Sequence, residues 1–143
     1  MQTFMPYSSF VRSAKCLDDK RLGKQRVEAY QILRTLLGET AGWANHPAVR
    51  MWSGYERSLL AYGSIVCMVW RSRDFRDTVL DRLCELAPLS ALDDLPPWLG
   101  DERLHASHRS NLLRKDPEWY GQYGWKESPD LPYFWPTKDM DHG

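Results

Sequence analysis

Residues 13–37 read SAKCLDDKRLGKQRVEAYQILRTLL, and their apolar members recur at the three- and four-residue spacing of an α-helix. At 100° per residue, with Arg21 as the origin, one sector of about 60° to 180° holds Leu22, Ala29, Tyr30, Leu33, Leu36 and Leu37. Gly38 follows, and glycine often ends a helix because it adopts the left-handed conformation at no cost. The stretch therefore predicts an amphipathic first helix from about Ser13 to Leu37, with one buried side.

The rest of the chain is also predicted to be helical, because no run alternates as a strand does and no repeat is present. A length of 143 residues suits one compact domain, 1–143. We expect a second helix from Asn45-His46-Pro47, a third from Asp74 to Ala87 and a fourth from about Asp101 to Lys115. A proline-rich loop, LDDLPPWLGD, precedes the fourth helix, and an aromatic, proline-rich tail wraps the core. The predicted fold is all-α, with about four helices.

Composition excludes several classes of protein. The chain is 43% hydrophobic and 27% charged, as globular domains usually are. No apolar run approaches the ~18 residues that span a bilayer, and the N-terminus lacks a signal-peptide pattern, so we expect a cytoplasmic, nucleoid-associated protein. The three cysteines form no CxxC pair, which indicates reduced, mostly buried thiols and no zinc knuckle. Neither a glycine-rich phosphate loop nor a GxSxG elbow occurs, so no cofactor and no nucleotide is expected.

Charge is segregated along the chain although the formal net charge is zero. Residues 1–36 hold seven Lys or Arg against three acids, whereas residues 74–102 hold eight acids against two arginines. One basic face could therefore meet a phosphate backbone while the other keeps the protein dispersed. Solvated helix faces would explain the same segregation.

The densest basic run is KRLGKQRVE, residues 20–28, with four bases and a single acid at its end. Helical geometry places Glu28 beside Arg21, Lys24 and Gln25, in a polar patch that borders the buried stripe. Such a carboxylate is ionised and oriented by its cations, and it can act in proton transfer once a substrate covers it. Ordinary pairing of Glu28 with Lys24, worth ~0.3–0.5 kcal/mol, is the simpler alternative.

Arg26 falls inside the apolar sector of the first helix. A buried, unpaired guanidinium is too costly, so Arg26 extends to solvent, pairs with an acid of another helix, or reaches into the cleft as a DNA contact.

The fourth helix and the tail hold further candidate DNA contacts. Histidine, arginine and lysine side chains can contact phosphates, and tail aromatics can stack on unpaired bases or cap the core. A buried polar role for the histidines and a metal-dependent hydrolase using them are alternatives, although HxxH without the Glu of HExxH is a weak metal signal. The candidates are His105, His108, Arg109, Lys115, Tyr120 and Tyr123.

Three pieces of sequence, taken in order, resemble a known family. They are the first helix with Leu17, Asp19, Leu22 and Glu28, the segment HPAVRMWSGYERSLLAY, and the basic helix that runs into Pro117, Trp119, Tyr120, Tyr123 and Gly124. This arrangement resembles the pyrimidine-dimer DNA glycosylases of endonuclease V type, which are small all-helical enzymes. Nearly the whole chain is similar to an actinobacterial branch of that family carrying RLGKQRVE, NHPAVRMW and SHRSxLLRKDPEWY.

The resemblance implies a chemistry and its residues. In the family an N-terminal α-amine attacks the sugar C1′ and a first-helix Glu assists, before β-elimination cleaves the strand. Glu28 matches that Glu. Where the phage enzymes present Thr, this chain has Met1-Gln2, so Met1 would supply the amine. Val27 and Gln31 stand where the family has Arg. An α-amine suits this chemistry because more of it is neutral near pH 7 than of a lysine.

The resemblance also implies a partner. We expect a monomer that extrudes a nucleotide from double-stranded DNA, without membrane or metal, and cleaves off a damaged or modified pyrimidine. A non-catalytic nucleic-acid-binding protein of the same fold is the main alternative.

Overall fold

The structure is a computed structural model and describes residues 1–86 and 95–136. In these two ranges it contains seven α-helices, one 3₁₀ turn and no strand, which confirms the all-α prediction. The predicted number of four helices was too low, because two of the predicted helices are each divided and a short helix forms at Pro117–Tyr120, in the predicted tail. The helices are α1 (Phe10–Cys16), α2 (Asp19–Leu36), α3 (Pro47–Arg50), α4 (Glu56–Ser72), α5 (Val79–Leu86), α6 (Glu102–Lys115) and α7 (Pro117–Tyr120), and the 3₁₀ turn is Gly121–Tyr123.

The predicted first helix is broken at Leu17 and Asp18, between α1 and α2. Leu17 is extended, with φ −70° and ψ 139°. Asp18 caps α2, since its carboxylate accepts the N–H of Arg21 at 3.4 Å and the hydroxyl of Tyr120. The aspartate meets the unpaired N–H groups of a new helix, so the chain turns and restarts.

The predicted second helix is divided by a turn into α3 and α4, and the predicted third helix begins later than expected, at a side-chain cap. Gly54, with φ +90°, lies in the turn between α3 and α4, a conformation that favours glycine. The third helix begins at Val79 and not at Asp74, because Asp77 accepts the first two N–H groups of α5 at 3.1 and 3.0 Å. Its predicted end at Ala87, and the start of the proline-rich loop, lie outside the described residues.

The core forms where α2 crosses α4. A methyl group at Gly63 would lie 3.2 Å from Ala29 Cβ and 3.1 Å from a Leu83 methyl, so glycine at this position favours the close approach of α2 and α4. Trp52 and Tyr62 are fully buried beside it. This contact sets the position of the polar edge of α2.

The cysteines are free thiols, as expected, with Cys16 and Cys67 buried and Cys84 exposed. Burial raises the pKa of Cys16 and of Cys67 to about 12. No helix in the described ranges is both long and apolar enough to cross a membrane.

The tail packs along α6, where buried polar side chains bond its backbone. Ser110 Oγ accepts the N–H of Leu131 at 2.9 Å, and Ser107 Oγ accepts that of Phe134 at 3.1 Å. These bonds replace water for the extended backbone and fix its path toward the chain start.

Candidate active site

The first five residues run as an irregular segment through the helices, and residues 2–5 are buried. Met5 donates its N–H to His108 Nδ1 at 2.8 Å, and its carbonyl accepts from His105 Nδ1 at 2.7 Å. His105 Nδ1 carries the proton because its Nε2 accepts the N–H of Gly100 at 2.9 Å. The two α6 histidines therefore hold both polar backbone groups of Met5.

Two other helices hold the same segment. Gln25 of α2 accepts the N–H of Phe4 at 2.8 Å and donates to the carbonyl of Gln2 at 2.7 Å. Tyr62 of α4 donates its hydroxyl to the carbonyl of Phe4 at 2.7 Å. Because α2, α4 and α6 all contribute, the chain start is fixed against the whole bundle.

Glu28 lies beside the chain start. Its Oε2 accepts the N–H of Gln2 at 3.3 Å, and its Oε1 lies 3.7 Å from Lys24 Nζ. Only three covalent bonds, about 4.3 Å in total length, separate Met1 N from Gln2 N, so the amine lies no more than about 8 Å from this carboxylate. The Glu28 side chain is 13% exposed and that of Lys24 is 74% exposed. The carboxylate is thus sheltered, and its one cationic partner stays in solvent.

An open cavity of about 530 Å³ surrounds this pair. Four cationic side chains and one carboxylate meet there, beside aromatic rings from the tail. This composition suits a polyanion that carries flat apolar groups. The lining residues are Met1, Gln2, Phe4, Lys20, Arg21, Lys24, Gln25, Glu28, His46, Lys115, Tyr133 and Trp135.

His46 adds a neutral imidazole to the cavity wall. Its Nδ1 accepts the N–H of Ala48 at 3.0 Å and so caps α3, which places the ring proton on Nε2. Loss of solvent and the nearby positive amine lower the pKa of His46, while Glu28 opposes them. The ring therefore offers a hydrogen-bond donor and no positive charge near pH 7.

Lys115 reaches the cavity from the end of α6. Partial burial, followed by repulsion from Arg21, Arg114 and Lys24, lowers the pKa of Lys115. The cations of the cavity are thus close enough to repel one another, and a bound anion would relieve that repulsion.

The family model described as pyrimidine dimer DNA glycosylase matches residues 1–83. The chain belongs to this family. The match includes the chain start, Glu28 and His46, whereas Lys115 and the tail lie beyond it. Searches of the curated proteins and of the solved structures give no significant match. The resemblance seen in the sequence is confirmed, and membership supports a DNA glycosylase function with DNA as the substrate.

In this glycosylase family member, six predicted site residues meet at one cavity. Arg21 is held by both carboxylate oxygens of Asp18, at 3.2 and 3.1 Å, and its side chain is 20% exposed. Gln25 lines the cavity but its amide is occupied by the chain start. The six are Met1, Arg21, Lys24, Gln25, Glu28 and Lys115.

Arg26 lies outside the cavity, in an internal ion pair. Its guanidinium pairs with Asp77 and lies over the Trp70 ring, 4.4 Å from the centroid. The Asp77 side chain is fully buried and that of Arg26 is 13% exposed. Of the three environments predicted for this arginine, the structure shows the ion pair with an acid elsewhere in the chain. This pair links α2 to the start of α5.

His105 and His108 also lie away from the cavity lining. Both ring nitrogens of His105 are occupied, and His108 is completely buried. Burial, and then His105, lower the pKa of His108 to about 3, so this ring is neutral. Within the described ranges, no three His, Cys, Asp or Glu side chains cluster as metal ligands do. The position of the two rings favours the buried polar alternative over a metal-dependent hydrolase.

The remaining three candidates support the frame of the site. Arg109 pairs with Glu102 and, at 2.8 Å, with Glu127, and it borders a separate hollow of about 210 Å³. Tyr120 is buried and holds Asp18, the cap of α2. Tyr123 stacks on Trp125 with ring centroids 5.5 Å apart.

Sequence reasoning missed several lining residues. His46 was interpreted only as part of the Asn-His-Pro signal for a helix start. Lys20 belongs to the basic run, but helical geometry does not place it beside Glu28. Tyr133 and Trp135 reach the cavity only because the tail follows α6. No local pattern encodes that path, since it depends on Ser107 and Ser110.

Proposed function

We propose that this protein is a DNA glycosylase that releases a damaged or modified pyrimidine and then cleaves the abasic strand as an AP lyase. The single observation that carries the proposal is the 3.3 Å hydrogen bond from Gln2 N–H to Glu28 Oε2, at the edge of a cationic cavity. It brings an acid and the α-amine of Met1 into reach of one sugar.

Binding follows from the lining of the cavity. A volume of about 530 Å³ falls within the ~300–1,000 Å³ typical of ligand sites. Lys20, Arg21, Lys24 and Lys115 would hold the phosphates on either side of an extruded nucleotide, and Tyr133 and Trp135 offer rings for its base. The proposed substrate is double-stranded DNA, and the protein acts as a monomer.

Base release begins at the Met1 amine. The amine nitrogen bonds to C1′ as the glycosidic bond breaks, and the electron pair of that bond leaves with the base, which takes up a proton. One of the two protons on the nitrogen then passes to O4′ as the sugar ring opens, which leaves a protonated Schiff base. Glu28 relays this proton and stabilises the positive charge that develops near C1′.

Strand cleavage uses the same carboxylate. Glu28 takes a proton from C2′, the C3′–O bond breaks and the 3′ phosphate departs with the electron pair. Water then hydrolyses the Schiff base and frees the amine. His46, as a neutral donor, can bond the departing base or the sugar oxygen.

Borohydride trapping tests the lyase assignment. The protein is mixed with a duplex that contains an abasic site, reduced, digested and mapped by mass spectrometry. A covalent adduct on the Met1 nitrogen is expected. Lys20, Lys24 and Lys115 line the same cavity, so an adduct on any of them would overturn the choice of amine while keeping the lyase.

A substrate panel tests the glycosylase assignment. Duplexes carrying pyrimidine dimers, oxidised pyrimidines or hypermodified pyrimidines are incubated with the protein, and released bases are measured. Release from one of them is expected. Tight DNA binding with neither base release nor a trapped adduct would support the non-catalytic alternative.

A further inference from the structure

Trp43 stands on an exposed loop beside the cavity. Every residue from 38 to 45 is exposed, and the Trp43 side chain is 62% exposed, the highest value among the large hydrophobic side chains described. Its ring meets that of His46 edge to face at 5.9 Å, and His46 meets Trp135 at 6.0 Å. His46 and Trp135 line the cavity, so Trp43 is one ring contact away from its lining.

The backbone holds Trp43 in an unfavourable conformation. Its φ is +68°, in the left-handed region that bulky residues rarely adopt. Hydrogen bonds support this shape, since His46 N–H donates to the Trp43 carbonyl at 2.9 Å and the Thr35 hydroxyl is shared between the carbonyls of Gln31, at 3.0 Å, and Gly42, at 3.2 Å. Strain that the surrounding structure sustains is common where a side chain must be presented in one direction.

We propose that Trp43 is a wedge that enters the base stack of duplex DNA and fills the gap left by the extruded nucleotide. The inference rests on the proposed function, because it takes the occupant of the cavity to be a nucleotide from a duplex. An extruded nucleotide leaves its gap directly beside the pocket that receives it, which is where this ring stands. Apolar wedges and base–aromatic stacking are established ways to stabilise such a distorted duplex.

Charge complementarity favours DNA over another apolar partner. The cavity beside the Trp43–His46 ring pair is lined by four cationic side chains, and residues 38–46 contain one acid, Glu39, and no Lys or Arg. If the cavity cations bind the DNA phosphates, the Trp43 ring beside the cavity would contact the bases attached to that backbone. The Trp43 ring would thus bind the gap in the base stack of the duplex, whereas the cavity would bind the extruded base.

The test compares a gapped with an intact duplex. Binding is measured by fluorescence anisotropy for a labelled duplex with one tetrahydrofuran abasic analogue and for its intact counterpart. We expect the wild type to prefer the gapped duplex. Trp43→Ala should weaken binding to the gapped duplex by about tenfold, with intact duplex changed less than twofold. Trp43→Phe should restore most of the preference.

Controls separate this inference from the proposed chemistry. Met68→Ala removes another exposed apolar side chain, 59% exposed on α4, and should change neither affinity. The tetrahydrofuran analogue has no hydroxyl at C1′ and cannot form a Schiff base, so this assay measures binding without the proposed chemistry. Equal loss on both duplexes in Trp43→Ala, or no preference in the wild type, would overturn the wedge whether or not the protein releases bases.

Discussion

Replacing Glu28 with glutamine removes one negative charge while keeping the size of the side chain. The folded state loses little, because a glutamine oxygen can still accept the N–H of Gln2. The other contact, at 3.7 Å, is to Lys24, whose side chain is 74% exposed, and such pairs contribute only ~0.3–0.5 kcal/mol. We therefore expect the melting temperature to fall by less than about 4 °C.

The loss in chemistry should be much larger. A positioned acid or base contributes about 10²- to 10⁴-fold, so base release under single-turnover conditions should slow at least ~100-fold, or about 2.7 kcal/mol in the barrier. DNA affinity should stay equal or rise slightly, since the cavity keeps its four cations and loses its one carboxylate.

Three measurements on one preparation check this reasoning. They are the single-turnover rate on a confirmed substrate, the affinity by anisotropy and the melting curve. Glu118→Gln is the matched control, because Glu118 is exposed on α7, away from the cavity. A rate within twofold of the wild type would reject Glu28 as the acid–base group, and a tenfold weaker affinity would make it a binding residue.

Three further predictions concern the frame of the site. Arg26→Ala removes one cationic partner of the buried Asp77 carboxylate and leaves Arg71, 3.4 Å away, as the other. We expect the free energy of unfolding in urea to fall by about 1.5–3 kcal/mol, the range for hydrogen bonds to charged groups, with DNA affinity per folded molecule unchanged. Weaker binding without a loss of stability would contradict this. The folded-state pKa of His108, about 3, lies below its ordinary 6.5, so the unfolded chain binds more protons and stability falls by about 2 kcal/mol from pH 6.5 to pH 5. In His108→Asn the free energy of unfolding should depend less on pH over this range. An unchanged pH dependence would show that other groups cause it. Ellman's reagent should react fast with one thiol, Cys84, and with Cys16 and Cys67 only after unfolding; three fast thiols would refute their burial.

The polar edge of α2 was accessible to sequence reasoning because helical spacing is local. The 100° rule groups Arg21, Lys24, Gln25 and Glu28, and all four line one cavity in the structure. The breaks in the helices were less accessible. Between α1 and α2, the local signals of the restart are Leu17, which falls outside the apolar sector, and the capping aspartate Asp18.

Long-range partners explain what sequence reasoning could not supply. His105 and His108 bond the peptide groups of Met5, about a hundred residues away, and nothing in HASHRSNLLRK indicates this. Arg26 was recognised as anomalous, but its acid, Asp77, lies in a segment whose helix start was misplaced. Trp43 carried no signal, because its meaning depends on a left-handed backbone and on the rings beside it.

The clamped segment at residues 2–5 makes the reach of the amine adjustable without disturbing the bundle. Within the described residues, the hydrogen bonds that hold this segment begin at Gln2, while the Met1 side chain packs against the core, so the α-amine lies at the end of a short arm. One extra residue ahead of Gln2 would move that nitrogen by up to about 3.5 Å and leave Glu28 where it is. The number of residues ahead of Gln2 would therefore set the distance between the proposed nucleophile and Glu28, independently of the fold.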